Sequence, residues 1–370
     1  MLLDSLESNK NLNDRVYDIA IIGLGPAGST FARLLDKNFS VIAFDKKSDD
    51  ENSSFKKPCG GLLAEDAQKC FSKFGLTLPL NVLVDPQIFC VKTIDIKTTL
   101  TKYYQRFYMN LDRHKFDIWL KSLIPEHIKI ENNVVCTKVE KENDIYKIFI
   151  QKGENKLEYK AKYIIGADGA ASIVRKTIYP NKKLTSYLSI QQWFEDKHKK
   201  PFYSCIFDPE VTDCYSWGLS KNGKFIFGGA FPIKNGREKF ELLKEKVKPY
   251  GFQLENPIKT EACLVLRPAN PFEFCCGEKN AFLIGEAAGF ISPSSLEGMS
   301  YAFESAYILS EIFNKKKFFL NYEYKKSTIP IKIKLATKLL KNPFMYNPIL
   351  RAIVMKSSFQ SIEIISELSE

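Results

Sequence analysis

The sequence predicts a mixed α/β protein, and three observations predict it. Residues 17–46 run strand, glycine turn, helix, strand, acid. Residues 187–231 form a separate stretch dense in aromatic and β-branched side chains, with the look of an inserted antiparallel sheet. Residues 318–370 return to a helical pattern punctuated by Pro330, Pro343 and Pro348.

The opening unit is the most informative. Ile19–Ile22 is a short apolar run that reads as a buried strand. Gly23-Leu24-Gly25-Pro26-Ala27-Gly28 follows at once, Ser29–Leu35 reads as a helix, and Val41–Phe44 as a second strand ending in Asp45. Gly23 permits a tight turn, Gly25 lets a pyrophosphate approach the backbone, and Gly28 lets the helix pack close to the sheet. The free N–H groups of the helix N-terminus favour a phosphate. Asp45 stands twenty-two residues after Gly23, close to the spacing of an acid that holds a ribose hydroxyl. A Rossmann-like dinucleotide site is therefore expected.

Composition narrows the class. With 45% hydrophobic residues a large core is available and global disorder is excluded. Lys and Arg outnumber Asp and Glu by 54 to 43, but the basic residues are scattered and no nucleic-acid motif accompanies them. Nine cysteines without a C-x-x-C pair, and an N-terminal segment without a basic-then-apolar pattern, lead to the expectation of a reducing, cytoplasmic setting. His114, His127 and His198 lack metal-ligand spacing, so no metal site is expected, and no Ser/His/Asp arrangement is suggested.

Taken in order, residues 1–14 read as a polar arm and Ser48–Lys57 as a polar loop. Lys57-Pro58-Cys59-Gly60-Gly61 needs unusual backbone angles or a close ligand. Ala64–Phe74 reads as a helix, and Ile88–Ile96 and Tyr103–Asn110 as strands. Asp112 is the expected N-cap of a helix over Arg113–Ile124. Arg113 sits in its first turn, where the helix dipole disfavours a cation; a nearby anion would explain it, and solvation is the alternative. Val134–Glu140, Ile145–Gln151 and Leu157–Tyr159 read as a meander, followed by a separate strand Ala161–Gly166 that leads into Asp168-Gly169 and a short helix bearing Arg175. In the aromatic stretch, Cys214–Leu219 and Lys224–Gly229 are strands that either wall an apolar cavity or are plain core. Helix Arg237–Tyr250 and strand Thr260–Arg267 follow. Asn280–Gly289 is again strand, glycine and acid, with Gly298 and Met299 leading into a helix from Ser300 to Phe313. The lysines accompanying Ile331, Ile333, Leu335, Leu339 and Leu340 make either a basic amphipathic face for lipid headgroups or a solvated helix face.

Three of these segments together resemble one family. GLGPAG with Asp45, Asp168-Gly169-x-x-Ser172-x-x-Arg175, and IGEAAG continuing to Gly298 look like the three FAD motifs of para-hydroxybenzoate-hydroxylase-like flavoproteins. Lys57-Pro58-Cys59-Gly60-Gly61 and Tyr215-x-Trp217 narrow the resemblance to the geranylgeranyl reductase family, which uses FAD to reduce isoprenoid double bonds. It covers roughly residues 16–315. It implies a discontinuous FAD-binding domain (1–90, 111–180 and 275–315), an inserted substrate-binding sheet domain (91–110 and 181–274) and a C-terminal helical region (316–370).

The resemblance also implies roles. Gly23, Gly25, Ala27 and Gly28 would line the FAD pyrophosphate and Asp45 would bind the adenosine ribose. Cys59, Gly60 and Gly61 would lie near the flavin, with Cys59 a proton donor or a packing residue, and Arg113 would reach the cofactor. Asp168 and Gly169 would sit beside FAD, Glu286 would meet its ribityl or pyrophosphate part, and Gly298 and Met299 would offer backbone groups to the ring. Tyr215 and Trp217 would face substrate. The family usually has Asp where this chain has Glu286, whose longer reach requires a backbone shift or a bridging water.

The implied activity is reduction of a carbon–carbon double bond in an isoprenoid or other apolar substrate. The alternatives are an FAD-dependent monooxygenase or halogenase, with no Trp-x-Trp-x-Ile-Pro stretch to favour the halogenase, and a non-catalytic flavin- or lipid-binding protein. No second GxGxxG is present, so electrons would come from transiently bound NAD(P)H or a carrier protein. No nucleic-acid partner is expected; the basic C-terminal helices leave room for peripheral membrane contact.

Overall fold

The computed structural model describes residues 15–48, 57–198 and 202–365. The expected polar arm at 1–14 and most of the expected loop at 48–57 lie outside the described residues.

Strand β1 (Val16–Ile22), helix α1 (Pro26–Leu34) and strand β2 (Val41–Phe44) form the opening unit. Next come β3 (Leu62–Leu63), α2 (Glu65–Phe74), β4 (Ile88–Asp95), β5 (Leu100–Asn110), α3 (Arg113–Ser122), β6 (Lys129–Glu131), β7 (Val135–Glu142), β8 (Ile145–Lys152), β9 (Asn155–Gly166) and α4 (Ile173–Ile178). The aromatic stretch supplies β10 (Ser186–Glu195), β11 (Phe202–Phe207), β12 (Ser216–Lys221) and β13 (Lys224–Phe231), and α5 (Gly236–Val247) and β14 (Lys259–Leu266) follow. The chain ends with β15 (Gly277–Glu278), β16 (Ala281–Leu283), α6 (Met299–Asn314), α7 (Leu320–Ser327), α8 (Ile329–Tyr346), α9 (Pro348–Lys356) and β17 (Ser361–Ile362).

These elements make two sheets. The first has the order β15-β16-β9-β1-β2-β6, with β8 beside β9 and β7 beside β8. Its centre is parallel: β1 pairs with β2 and β9, and β16 pairs with β9. The register matters for the site. Ile22 lies opposite both Phe44 and Gly166, and Gly166 lies opposite Leu283, so β1, β2, β9 and β16 all end at one edge. The second sheet has the order β14-β10-β13-β12-β11-β4-β5-β17, with β3 against β5. It is antiparallel except where β11 runs parallel to β4.

Local chemistry accounts for the helix ends. Pro26 opens α1, where its missing N–H costs nothing. Asp112 caps α3, accepting from the N–H groups of His114 and Lys115 at 2.9 and 3.1 Å. Helix α6 covers the first sheet: Phe313 meets the rings of Phe31, Phe39, Tyr163 and Phe282 at 5.2–5.9 Å.

Two expectations need correction. Leu157–Tyr159 and Ala161–Gly166 are one strand, β9, because its first half pairs antiparallel with β8 while its second half pairs parallel with β1. The last fifty residues are not helical throughout. Ser358 and Gln360 take positive φ after α9, and Ser361 and Ile362 then pair with Tyr104 and Tyr103 on the edge of β5.

A buried ion pair holds the C-terminal helices to the second sheet. Arg351 of α9 donates to Asp95 of β4 at 2.9 Å, with both residues almost fully enclosed. Replacing Arg351 by Met strands a buried carboxylate. The expected loss is about 3–5 kcal/mol in a denaturant titration, and Asp95→Asn in the same chain should restore part of it.

Candidate functional site

The three glycine-and-acid turns leave the shared edge of the first sheet and pack on one another. Gly23 has φ +94°, and a Cβ there would lie 2.7 Å from the Ala167 carbonyl oxygen and 3.1 Å from Asp168 Cα. At Gly28 a Cβ would overlap the Gly23 carbonyl oxygen at 1.9 Å. The first and second turns thus meet backbone to backbone. The third joins them through Gly285, whose Cβ position is 3.0 Å from Ala27 Cβ, and through Glu286, whose Oε2 is 3.6 Å from the Cβ position of Gly169. The Ile284 N–H donates to the Gly166 carbonyl at 3.0 Å, and the Ala167 N–H to that of Ile22 at 2.8 Å.

Gly25 differs from its neighbours. Among the described residues nothing lies within 4 Å of its Cβ position, so the turn into α1 is open at that point. Asp168 borders the same turns. One carboxylate oxygen accepts from Ile173 N–H at 2.7 Å, while Oδ1 is buried with no hydrogen-bond partner among the described residues. Burial raises its pKa. An open backbone cradle beside an orphaned buried oxygen suits a polar ligand with hydroxyl donors, and an FAD pyrophosphate and ribityl chain meets that description.

A second group of expected residues gathers where the two sheets meet. Arg113 bridges Asp117, with Nε 2.9 Å from Oδ1, and Cys59, with a guanidinium nitrogen 3.5 Å from Sγ. Asp117 also pairs with Lys47. The anion that the place of Arg113 called for is therefore in the protein itself. Burial opposes a charged Asp117, but Arg113 and Lys47 outweigh it and hold the carboxyl down at about 2. Cys59 follows the same logic. Burial opposes the thiolate, yet Arg113, the Gly61 N–H at 3.4 Å and Lys57 together bring the thiol below its ordinary value.

Strand β12 runs past this group. Alternate residues share one face of a strand, so Trp217, Leu219 and Lys221 point the same way. Leu219 Cδ2 lies 3.8 Å from the Cβ position of Gly60, and Lys221 Nζ 2.8 Å from that of Gly61. Lys221 donates to Asn110 Oδ1 and to the Leu111 carbonyl, both at 2.6 Å, and burial pushes it down to about 8. Tyr215 packs at 5.8 Å from Trp217 and donates to the Ser295 carbonyl at 2.6 Å. The Trp217 indole N–H is buried without a partner among the described residues. Tyr187, Phe207, Ile226 and Leu62 extend the same apolar cluster.

The remaining expected residues sit at the margins. Asp45, at the end of β2, is ion-paired with Lys121 of α3 at 2.9 Å. Glu286 uses its extra methylene to span two partners: Oε2 accepts from Lys57 at 2.7 Å and Oε1 from the Leu266 N–H at 3.1 Å. That ion pair joins the turns to the Cys59 segment. Gly298 precedes α6, and Met299 is buried with Leu63, Leu111 and Phe116. Glu297 caps α6, accepting from Ser300 N–H and Oγ at 2.8 Å.

Sequence reasoning missed Lys221, Asp117 and Lys121. Asp117 carried a signal, standing four residues after Arg113 on one helix face. Lys221 carried one too, two and four residues beyond Leu219 and Trp217.

Solved structures share this architecture. A geranylgeranyl bacteriochlorophyll reductase-like protein from Thermoplasma acidophilum superimposes with a TM-score of 0.76 at 17% identity, covering 96% of this chain and 94% of its own. The p-nitrophenol 4-monooxygenase PnpA from Pseudomonas putida DLL-E4 gives 0.67 at 16%, covering 92% and 93%. The myxobacterial chondrochloren halogenase CndH gives 0.70 at 15%, covering 90% and 83%. The fold is that of Rossmann-type FAD-dependent oxidoreductases, a class that here includes reductase-like proteins, monooxygenases and halogenases. No protein-family model matches the chain. Its sequence is 49% identical over 346 residues to Protein CbrA of Escherichia coli O6:H1, covering 94% of both, and 49% identical to Protein CbrA of Shigella sonnei, covering 94% and 98%. The chain belongs to the CbrA family.

Two measurements test the site. Gly28→Ala should cost about 1–3 kcal/mol of stability because its Cβ overlaps backbone, whereas Gly25→Ala should melt like the parent protein. The alkylation rate of Cys59, followed by mass spectrometry of its peptide, should rise with pH through a pKa below that of an ordinary thiol. In Arg113→Met the lost cation should move that midpoint upward by about one unit.

Proposed function

We propose that this chain is an FAD-dependent reductase of carbon–carbon double bonds in an isoprenoid or other apolar substrate. The observation that supports this most is the junction of the two halves of the site. The open cradle at Gly25 and the orphaned Asp168 oxygen suit a dinucleotide, and the apolar face of β12 meets the Cys59-Gly60-Gly61 turn beside them. Bound FAD, once reduced by NAD(P)H or a carrier protein, would supply a hydride to one alkene carbon.

The chain's own residues do the rest. Gly23, Gly25, Ala27 and Gly28 admit the pyrophosphate against backbone N–H groups. Asp45, held by Lys121, takes the adenosine ribose, and Glu286 with Asp168 and Gly169 borders the remainder of the cofactor. Gly298 and Met299 present the N-terminal turn of α6 to the ring. Tyr215 and Trp217 give the substrate an apolar wall that excludes water. Cys59 donates the proton to the second alkene carbon, and Arg113, the Gly61 N–H and Lys57 hold the thiolate that remains. That proton would complete the addition begun by the supplied hydride, and the Cys59 thiol would regain its proton from solvent.

The same architecture serves monooxygenases such as PnpA, so the test must separate the two. Purified protein should bind FAD, be reduced anaerobically by NADH, NADPH or dithionite, and be reoxidised by polyprenyl lipids faster than by buffer. Oxygen consumption matched to hydroxylated product would select the monooxygenase instead. Flavin that no reductant bleaches would select a binding protein. Cys59→Ala should keep FAD and slow single-turnover reduction at least about a hundredfold, the usual scale of a lost general acid; an unchanged rate removes the donor role.

A further inference from the structure

The C-terminal segment from Lys315 onward is markedly basic. From Lys315 to Glu370 there are eleven Lys and Arg against four acids, Glu323, Glu363, Glu367 and Glu370. Within this segment α8 is apolar on two opposite sides. Ile331 and Leu335 face inward, 3% and 0% exposed. Lys334 goes with that side, 3.1 Å from Asp66 and above the ring of Tyr301. Ile329, Ile333, Leu340 and Phe344 stand at steps of four, seven and four, the spacing of a single helix face. All four are exposed, Leu340 to 74%. Lys332 precedes Ile333 and Lys341 follows Leu340, which puts a lysine on each margin of the stripe.

Helix α9 repeats the arrangement. Arg351 and Met355 point inward, whereas Ile349 and Ile353 are 73% and 61% exposed. A helix that buries one apolar side and leaves the other bare has more hydrophobic surface than its own fold uses.

We propose that the outer stripes of α8 and α9 rest on a lipid bilayer bearing anionic headgroups. Their apolar side chains would enter the acyl boundary, while Lys332, Lys341 and Lys356 reach back to the phosphates. The charge complementarity selects this occupant. A second copy would set the same basic surface against itself, since a two-fold interface is self-complementary. Among the described residues no helix is long and apolar enough to cross a membrane, so the contact is peripheral. This inference holds whether or not the reaction proposed above is the right one.

The test is flotation of the full chain with phosphatidylcholine vesicles made with and without phosphatidylglycerol. The expected result is co-flotation with the phosphatidylglycerol vesicles, weakened by salt. Leu340→Asp with Phe344→Asp should lower the bound fraction at least about tenfold while leaving thermal melting unchanged. Lys332→Glu with Lys341→Glu should abolish the preference for phosphatidylglycerol. Equal flotation with both vesicles, no flotation, or variants that float like the parent protein would overturn the proposal. So would a dimer in sedimentation that the Leu340 and Phe344 replacements dissociate.

Discussion

Everything at the site depends on how closely three backbone turns approach one another. A carbonyl oxygen stands where a Cβ of Gly28 would be, and another presses on Gly23. With any side chain at those positions, α1 would be pushed away from β1 and the second turn away from the first. The common register of β1, β2, β9 and β16 then does the positioning: four strand ends reach one edge, and the chain must turn there four times in a small volume. In open parallel sheets the crevice beyond the strand ends is the place for a ligand. Gly25 has open space at its Cβ position among the described residues and so leaves this crowded edge open there.

The second constraint is electrostatic. Cys59, Arg113, Asp117 and Lys47 form a contiguous row of polar partners in an enclosed space. Burial opposes the charged form of Asp117, and removing Arg113 would leave that carboxylate exposed to the penalty. Glu286 adds a second such row through Lys57, and its longer side chain is what lets one carboxylate reach both Lys57 and the backbone of β14. An aspartate at that position would fall short of one of them unless the backbone moved.

The fold was legible in the sequence where one pattern dominated. The apolar run Ile19–Ile22, the glycine spacing and Asp45 each point to the same βαβ unit, and the unit is there. Asp112 as a cap was legible because the cause is local. The continuity of β9 was not, because it depends on two partners, β8 and β1, that are remote in sequence. The strand at Ser361 was not, because only the free edge of β5 calls for it. At the site, single residues announced themselves and their partners did not. Arg113 stood out by its awkward place on α3, but its partners are Asp117 and Cys59, fifty-four residues away. Lys221 was hidden in a strand whose aromatic residues drew the eye.

The chain's excess of positive charge and the charges at Cys59 are separate matters. Screening in physiological salt limits exposed charges to about 8 Å, so solvated lysines contribute little beyond that reach. The thiol responds instead to groups in contact with it, Arg113 and the Gly61 N–H, and to Lys57 nearby. The basic surface is correspondingly free to serve another end. Helix α9 is tied by Arg351 to Asp95, on the strand beside β11, and β11 pairs in turn with β12, whose apolar face meets Gly60. A surface that holds α8 and α9 against a partner would therefore hold the second sheet there as well.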